Sequence, residues 1–107
     1  MRAGLDTGSP TGDLVDRPSF LDLLHSQHTF PGEYTLRVIT VPATRAGVLS
    51  AVSTTLSGHG ETLDVQETAS SRGRLLSLRI RIHTESADDV VRTYDVLNEI
   101  RGVRAVL

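Results

Sequence analysis

Between Leu76 and His83 the chain alternates without a break, Leu76, Leu78, Ile80 and Ile82 against Ser77, Arg79, Arg81 and His83. Successive side chains of a β-strand point to opposite faces of its sheet, so this pattern predicts a strand with one dry face and one wet face. A second segment, Glu33 to Val41, repeats it more loosely. Tyr34, Leu36 and Val38 fall on one side, Thr35, Arg37 and Ile39 on the other, and Pro42 ends the run. A sheet that is apolar on one face only must be covered on that face.

Two amphipathic segments can supply the cover. Thr44 is placed to cap a helix running to about Ser57, with Val48, Leu49, Val52 and Leu56 on one stripe. Gly58-His59-Gly60 stops it, with Gly58 suited to the left-handed position after the last turn. Ser86 and Asp89 have the spacing of a capping box, and Asp88 and Asp89 suit the positive end of a helix dipole. Ala87, Val90, Val91, Tyr94, Leu97 and Ile100 form the second stripe, closed by Arg101 and Gly102. A weaker strand spans Glu61 to Ala69, with Leu63 and Val65 facing one way before Glu67 intrudes. Ser70-Ser71-Arg72-Gly73 reads as a hairpin turn leading into a strand from Arg74 to His83. A last strand runs from Val103 to Leu107, with Val103, Ala105 and Leu107 on one side.

The order is β-α-β-β-α-β, and it predicts an α+β, ferredoxin-like fold, a four-stranded antiparallel sheet with two helices on one face. Right-handed crossovers put the first and third strands in the centre and the fourth and second at the edges. A chain of 107 residues has room for one such domain. Residues 33–107 carry it. Residues 19–32 form a lead-in, a brief helix around Phe20, Leu21, Leu23 and Leu24 that Ser19 can cap, ended by the loop His28-Thr29-Phe30-Pro31-Gly32. Residues 1–18, rich in Gly, Pro, Ser, Thr and Asp, are expected to be a disordered tail, because they hold too little apolar surface to offset ordering.

Composition narrows the function classes. There is no cysteine, which removes disulfides, thiolate catalysis and cysteine zinc sites, and leaves a cytoplasmic address as the expectation. The first residues hold no apolar segment of the secretory kind, and no run is long enough to span a membrane. The formal charge of −2 argues against a partner bound by bulk phosphate neutralisation. All basic residues are arginine, whose planar fork suits carboxylates and phosphates. Residues 33–107 balance nine arginines with nine acids.

Several short segments resemble known families. Phe30-Pro31 with Tyr34-Thr35-Leu36-Arg37-Val38-Ile39, the hairpin Ser70-Ser71-Arg72-Gly73-Arg74 with Ser77, and the ending Val103-Arg104-Ala105-Val106-Leu107 resemble the YbeD-like family of small uncharacterised bacterial proteins, over roughly residues 19–107. That resemblance implies an ACT-like ferredoxin fold and a regulatory role without catalysis. Val41-Pro42-Ala43-Thr44-Arg45-Ala46-Gly47-Val48-Leu49 is similar to the strand-to-helix loop of ACT domains, the amino-acid-sensing regulatory modules, and Ile100-Arg101-Gly102-Val103 is similar to their approach to the last strand.

Two surfaces stand out as binding candidates. The strand parity puts Arg37 and Ile39, then Arg79, Arg81 and His83, then Arg104 and Val106 on the uncovered face, bordered by Asp64, Gln66 and Thr68. The four arginines and His83 are a candidate patch for a protein partner or an anion. The plainer reading is a solvated face with cross-strand pairs such as Asp64 with Arg79 or Arg81. The face carries no aromatic residue to stack a base, which argues against RNA. The loop Thr44, Arg45, Ala46 and Gly47, ahead of a helix N-terminus, is a candidate effector site. His25 and His28 share a spacing of three without a metal motif, and neither GxSxG nor a P-loop is present. The sequence therefore predicts no catalytic residue, no metal and no cofactor, and a protein that regulates or binds through association. Its partner is a second copy or an acidic protein, with a small effector as an addition. Because an arginine face repels its own copy across a two-fold axis, it favours an acidic partner, or a homodimer formed edge-on. The alternatives are an acylphosphatase-like hydrolase, for which Arg45 is the one arginine in the right loop, and a weak nucleic-acid module.

Overall fold

The computed structural model describes residues 17–70 and 72–107. The tail expected over 1–18 lies outside these residues except for its last two, which belong to the first helix, α1, Arg17–Gln27. Strand β1, Gly32–Thr40, follows, then a single 3₁₀ turn at Pro42–Thr44 and helix α2, Arg45–Leu56. Strands β2, Gly60–Ala69, and β3, Leu76–Thr84, form the hairpin, and α3, Ala87–Asn98, returns the chain to β4, Val103–Val106. The sheet order is β2-β3-β1-β4, with every neighbouring pair antiparallel, which is the ferredoxin-like arrangement.

The regular alternation becomes the centre of the sheet. From Gly32 opposite Thr84 to Thr40 opposite Leu76, β1 and β3 pair without a slip. Leu36, Val38, Leu78, Ile80 and Ile82 are buried under Val48, Val52 and Leu56 of α2 and Leu97 of α3. Complete burial of each such side chain contributes about 1.5–3 kcal/mol. A satellite core lies beside it, where Leu24 of α1 meets Ala87, Val90 and Val91 of α3, flanked by Phe20, Phe30, Tyr34 and Tyr94.

The edge strands depart from regular alternation. On β2 the register slips between Thr62, opposite Ile82, and Asp64, opposite Arg81, so Leu63 is an extra residue and stands exposed. The expectation that Leu63 and Val65 share a face fails there, because a bulge resets the parity. Val65 lies opposite Ile80 and packs against the core. On β4, Val103 is opposite Thr40 and Ala105 opposite Ile39, leaving Arg104 without a partner in the register. Val106 then faces Val38 and packs on the core, not on the open face where strict alternation puts it.

Both expected helix caps form without the expected side-chain bond. Thr44 and Ser86 occupy the N-cap positions, but neither side chain bonds a main-chain N–H of the first turn. The Thr44 hydroxyl turns to the main-chain oxygen of Arg101 at 3.5 Å. A Cβ on Gly102 would collide with that hydroxyl, and Gly102 has φ +103°, so this close approach needs glycine. Gly73, at φ +67°, turns the hairpin, with its N–H bonded to Ser70 O at 2.9 Å. The expected hairpin residue Ser71 lies outside the described residues.

Candidate functional site

The pairing registers arrange the open face in rows that run across the sheet. Glu61, His83 and Glu33 make one row, and Asp64, Arg81 and Thr35 the next. Gln66, Arg79 and Arg37 follow, then Thr68, Ser77, Ile39 and Ala105. The face is therefore graded, with carboxylates at one end, arginines in the middle and apolar side chains at the hairpin end.

Within this gradient the arginines are not equivalent. Arg81 donates to Glu33 at 3.1 Å, an exposed pair worth at most about 1 kcal/mol. Its partner is on β1, not Asp64 on β2. Arg37 and Arg79 stand directly opposite each other, and among the described residues neither has a carboxylate partner. Like charges in that position repel and destabilise a sheet. Arg104 is exposed at the β4 bulge on the outer side of β1 and does not join them. The five residues singled out for this patch thus separate into a free pair, Arg37 and Arg79, a neutralised Arg81, a His83 between two carboxylate positions, and an outlying Arg104.

Three adjoining depressions follow the same axis. The middle one, of about 320 Å³, is lined by Arg37, Arg79, Gln66, Thr68 and Ser77. Toward the acidic end a smaller one, of about 100 Å³, shares Gln66 and Arg79 and adds Thr35, Asp64 and Arg81. Toward the hairpin a third, of about 230 Å³, shares Thr68 and Ser77 and continues over Ile39, Ala69 and Leu75. Two guanidinium forks, two hydroxyls and an amide around one hollow can hold an oxyanion.

The loop of the second candidate site is largely committed to the fold. Arg45 bonds Glu67 at 2.8 Å, and Thr44 faces the Arg101–Gly102 turn. That leaves Ala46 and Gly47, both exposed, with a Cβ at Gly47 meeting only the Thr44 methyl at 4.0 Å. The histidines are dispersed. His25 and His28 lie against Phe30, and His28 also against Tyr34. Among the described residues no three His, Asp or Glu side chains gather as metal ligands would.

Two polar groups, one buried and one half-buried, escaped sequence reasoning. Asp89 is only 2% exposed, accepts from Thr84 at 2.7 Å and from Arg92 at 2.7 Å. Burial pushes its carboxyl up, but hydrogen bonds from Thr84 and Ser86 and the charge of Arg92 outweigh this and hold it below the ordinary value. Helix-dipole logic already accounts for an acid at this position, so nothing in the spacing marked it as buried. The other group is Tyr94, whose hydroxyl donates to the Leu107 main-chain oxygen at 2.7 Å and lies 3.0 Å from the Tyr34 hydroxyl. Since Tyr94 spends its proton on Leu107, Tyr34 is the donor between them. Burial pushes the Tyr94 phenol above its usual range.

The fold has relatives among solved structures. The C-terminal domain of the MgtC protein from Mycobacterium tuberculosis matches with a TM-score of 0.64 at 17% identity, over 76% of this chain and 88% of that one. The ACT domain from GTP pyrophosphokinase of Chlorobium tepidum matches with a TM-score of 0.53 at 14% identity, over 71% and 95%. At such identities the likeness is one of fold, and it agrees with the ACT-like arrangement of the sheet. No curated protein matches in sequence. No helix among the described residues is long and apolar enough to cross a membrane. The family model described as "Protein of unknown function (DUF493)" matches residues 25–107, from the end of α1 through the whole sheet and its bare face, and the chain belongs to that family.

Proposed function

We propose that this protein is a regulatory or binding module rather than an enzyme, and that it recognises a negatively charged group on the open face of its sheet. One observation carries the reading: Arg37 and Arg79 face each other across the two central strands, with no described carboxylate to neutralise them. An arrangement that costs stability in the free chain is offset when an anion enters between the two forks. The ACT-like fold and the YbeD-like resemblance both fit a role in regulation, and both solved neighbours are domains taken from larger proteins. The loop at Gly47 is the weaker site, since Thr44 and Arg45 are already engaged. The acylphosphatase alternative loses its arginine to Glu67, and its only asparagine, Asn98, sits at the far end of α3. The nucleic-acid alternative lacks an aromatic on the open face.

The test is an NMR titration of the arginine side-chain N–H signals with acetate and with inorganic phosphate, at constant ionic strength. Saturable shifts at Arg37 and Arg79 that exceed those at Arg101 and Arg104 are expected. Equal shifts at all arginines would reduce the effect to screening and overturn the reading.

A further inference from the structure

Resting on that anion site, we propose that its ligand is a small amphiphile, an oxyanion head on a short aliphatic tail, with the head between Arg37 and Arg79 and the tail in the adjoining hollow over Ile39 and Leu75. The two depressions adjoin, because Thr68 and Ser77 line both. Their chemistry changes abruptly at that shared boundary. The arginine hollow offers guanidinium, hydroxyl and amide donors, while beyond Thr68 and Ser77 the lining becomes Ile39, Ala69, Leu75 and Leu76, with Ser70, whose hydroxyl oxygen accepts from Leu75 N at 3.1 Å.

A simple inorganic anion would use the first hollow and leave the second unexplained. An extended acidic peptide would be drawn along the arginines toward Arg81, yet that direction is closed by Glu33, bonded to Arg81, and by Asp64. Carboxylates on that side repel a second negative charge, and the apolar hollow on the other side gives it no counter-charge. The gradient of the face therefore selects one charge followed by a hydrocarbon chain in one direction. The apolar hollow is about 230 Å³ and open to solvent, which limits the tail to a short chain.

The experiment is a series of straight-chain monocarboxylates from acetate to decanoate, below their micelle concentrations, titrated into the full chain by calorimetry and NMR. Affinity should rise about two- to fourfold per methylene over the first members and level off within the series. Ile39→Thr should flatten this rise while leaving acetate binding in place. Arg79→Gln should weaken every member by about tenfold. Octanol, with the same tail and no charge, should bind far more weakly than octanoate.

An affinity that does not change with chain length, with shifts still centred on Arg37 and Arg79, overturns the tail and leaves the anion site standing. Absence of binding by every member overturns both. Equal binding of octanol and octanoate overturns the head.

Discussion

The two faces of the sheet are written in the same eight residues of β3 and answer to opposite physics. On the covered face Leu78, Ile80 and Ile82 have no accessible surface, and their neighbours fix them from every side. On the bare face Ser77, Arg79, Arg81 and His83 stand beside their cross-strand partners on β1 and β2, with no helix over them. The covered face is constrained by volume, since a packed interior resists the loss or gain of even one methylene. The bare face is constrained by charge order alone, because water fills whatever its side chains leave. Residues there need not be what stability prefers, and Arg37 opposite Arg79 is such a case.

The contrast between the faces breaks first under Ile80→Asp. A carboxylate placed at the fully buried centre of β3 should cost several kcal/mol and unfold the domain. Denaturation followed by circular dichroism checks this, and a variant melting like the wild type would refute the assignment of faces.

An intermediate effect is expected at Asp89, a charge held on the covered side. Asp89→Asn should destabilise by about 1–3 kcal/mol, since it weakens the bonds to Thr84 and Arg92. The pH dependence has a definite sign. The folded carboxyl lies below its ordinary value, so its stabilising contribution is present above the unfolded pKa of about 3.9 and is lost as pH falls through the lower folded value. The stability gap between wild type and variant should therefore narrow below about pH 4 in paired melts. A gap constant from pH 7 to pH 3 would show that the charge of Asp89 carries none of it.

The smallest effect sharpens the contrast from the bare face. Arg79→Gln should change stability by no more than about 0.5 kcal/mol, and in the favourable direction at low salt, because it relieves repulsion from Arg37. A loss of a kilocalorie or more in urea titration would mean that Arg79 is structural.

The central strands, both long helices and the sheet order were legible in the sequence because their patterns persist over many residues. Strict alternation from Leu76 to Ile82 has no other economical explanation. The bulges were not legible. An inserted residue such as Leu63 or Arg104 leaves no mark of its own and only reverses the parity of the residues after it, as at Val106. Arg37 and Arg79 were assigned to one patch from parity. Their direct opposition needed the register of β1 on β3, which no turn between them sets, since β2 and α2 intervene. The neutralisation of Arg81 by Glu33 was hidden for the same reason. The Tyr34–Tyr94 bond joins residues sixty apart, and only the packed structure brings them together.

The position of Leu107 ties the two faces to a common fastening. Its main-chain N–H bonds Arg37 O at 2.7 Å, beside the bare face, while its oxygen takes the Tyr94 hydroxyl from the helical side. Tyr94 in turn holds Phe20 of α1 edge-on at a ring distance of 5.0 Å. The sheet margin at Arg37 thus works like a riveted seam, with its head on one side and its shank on the other. The backbone beneath the first of the paired arginines cannot slide along β4 without loosening the seat of the leading helix.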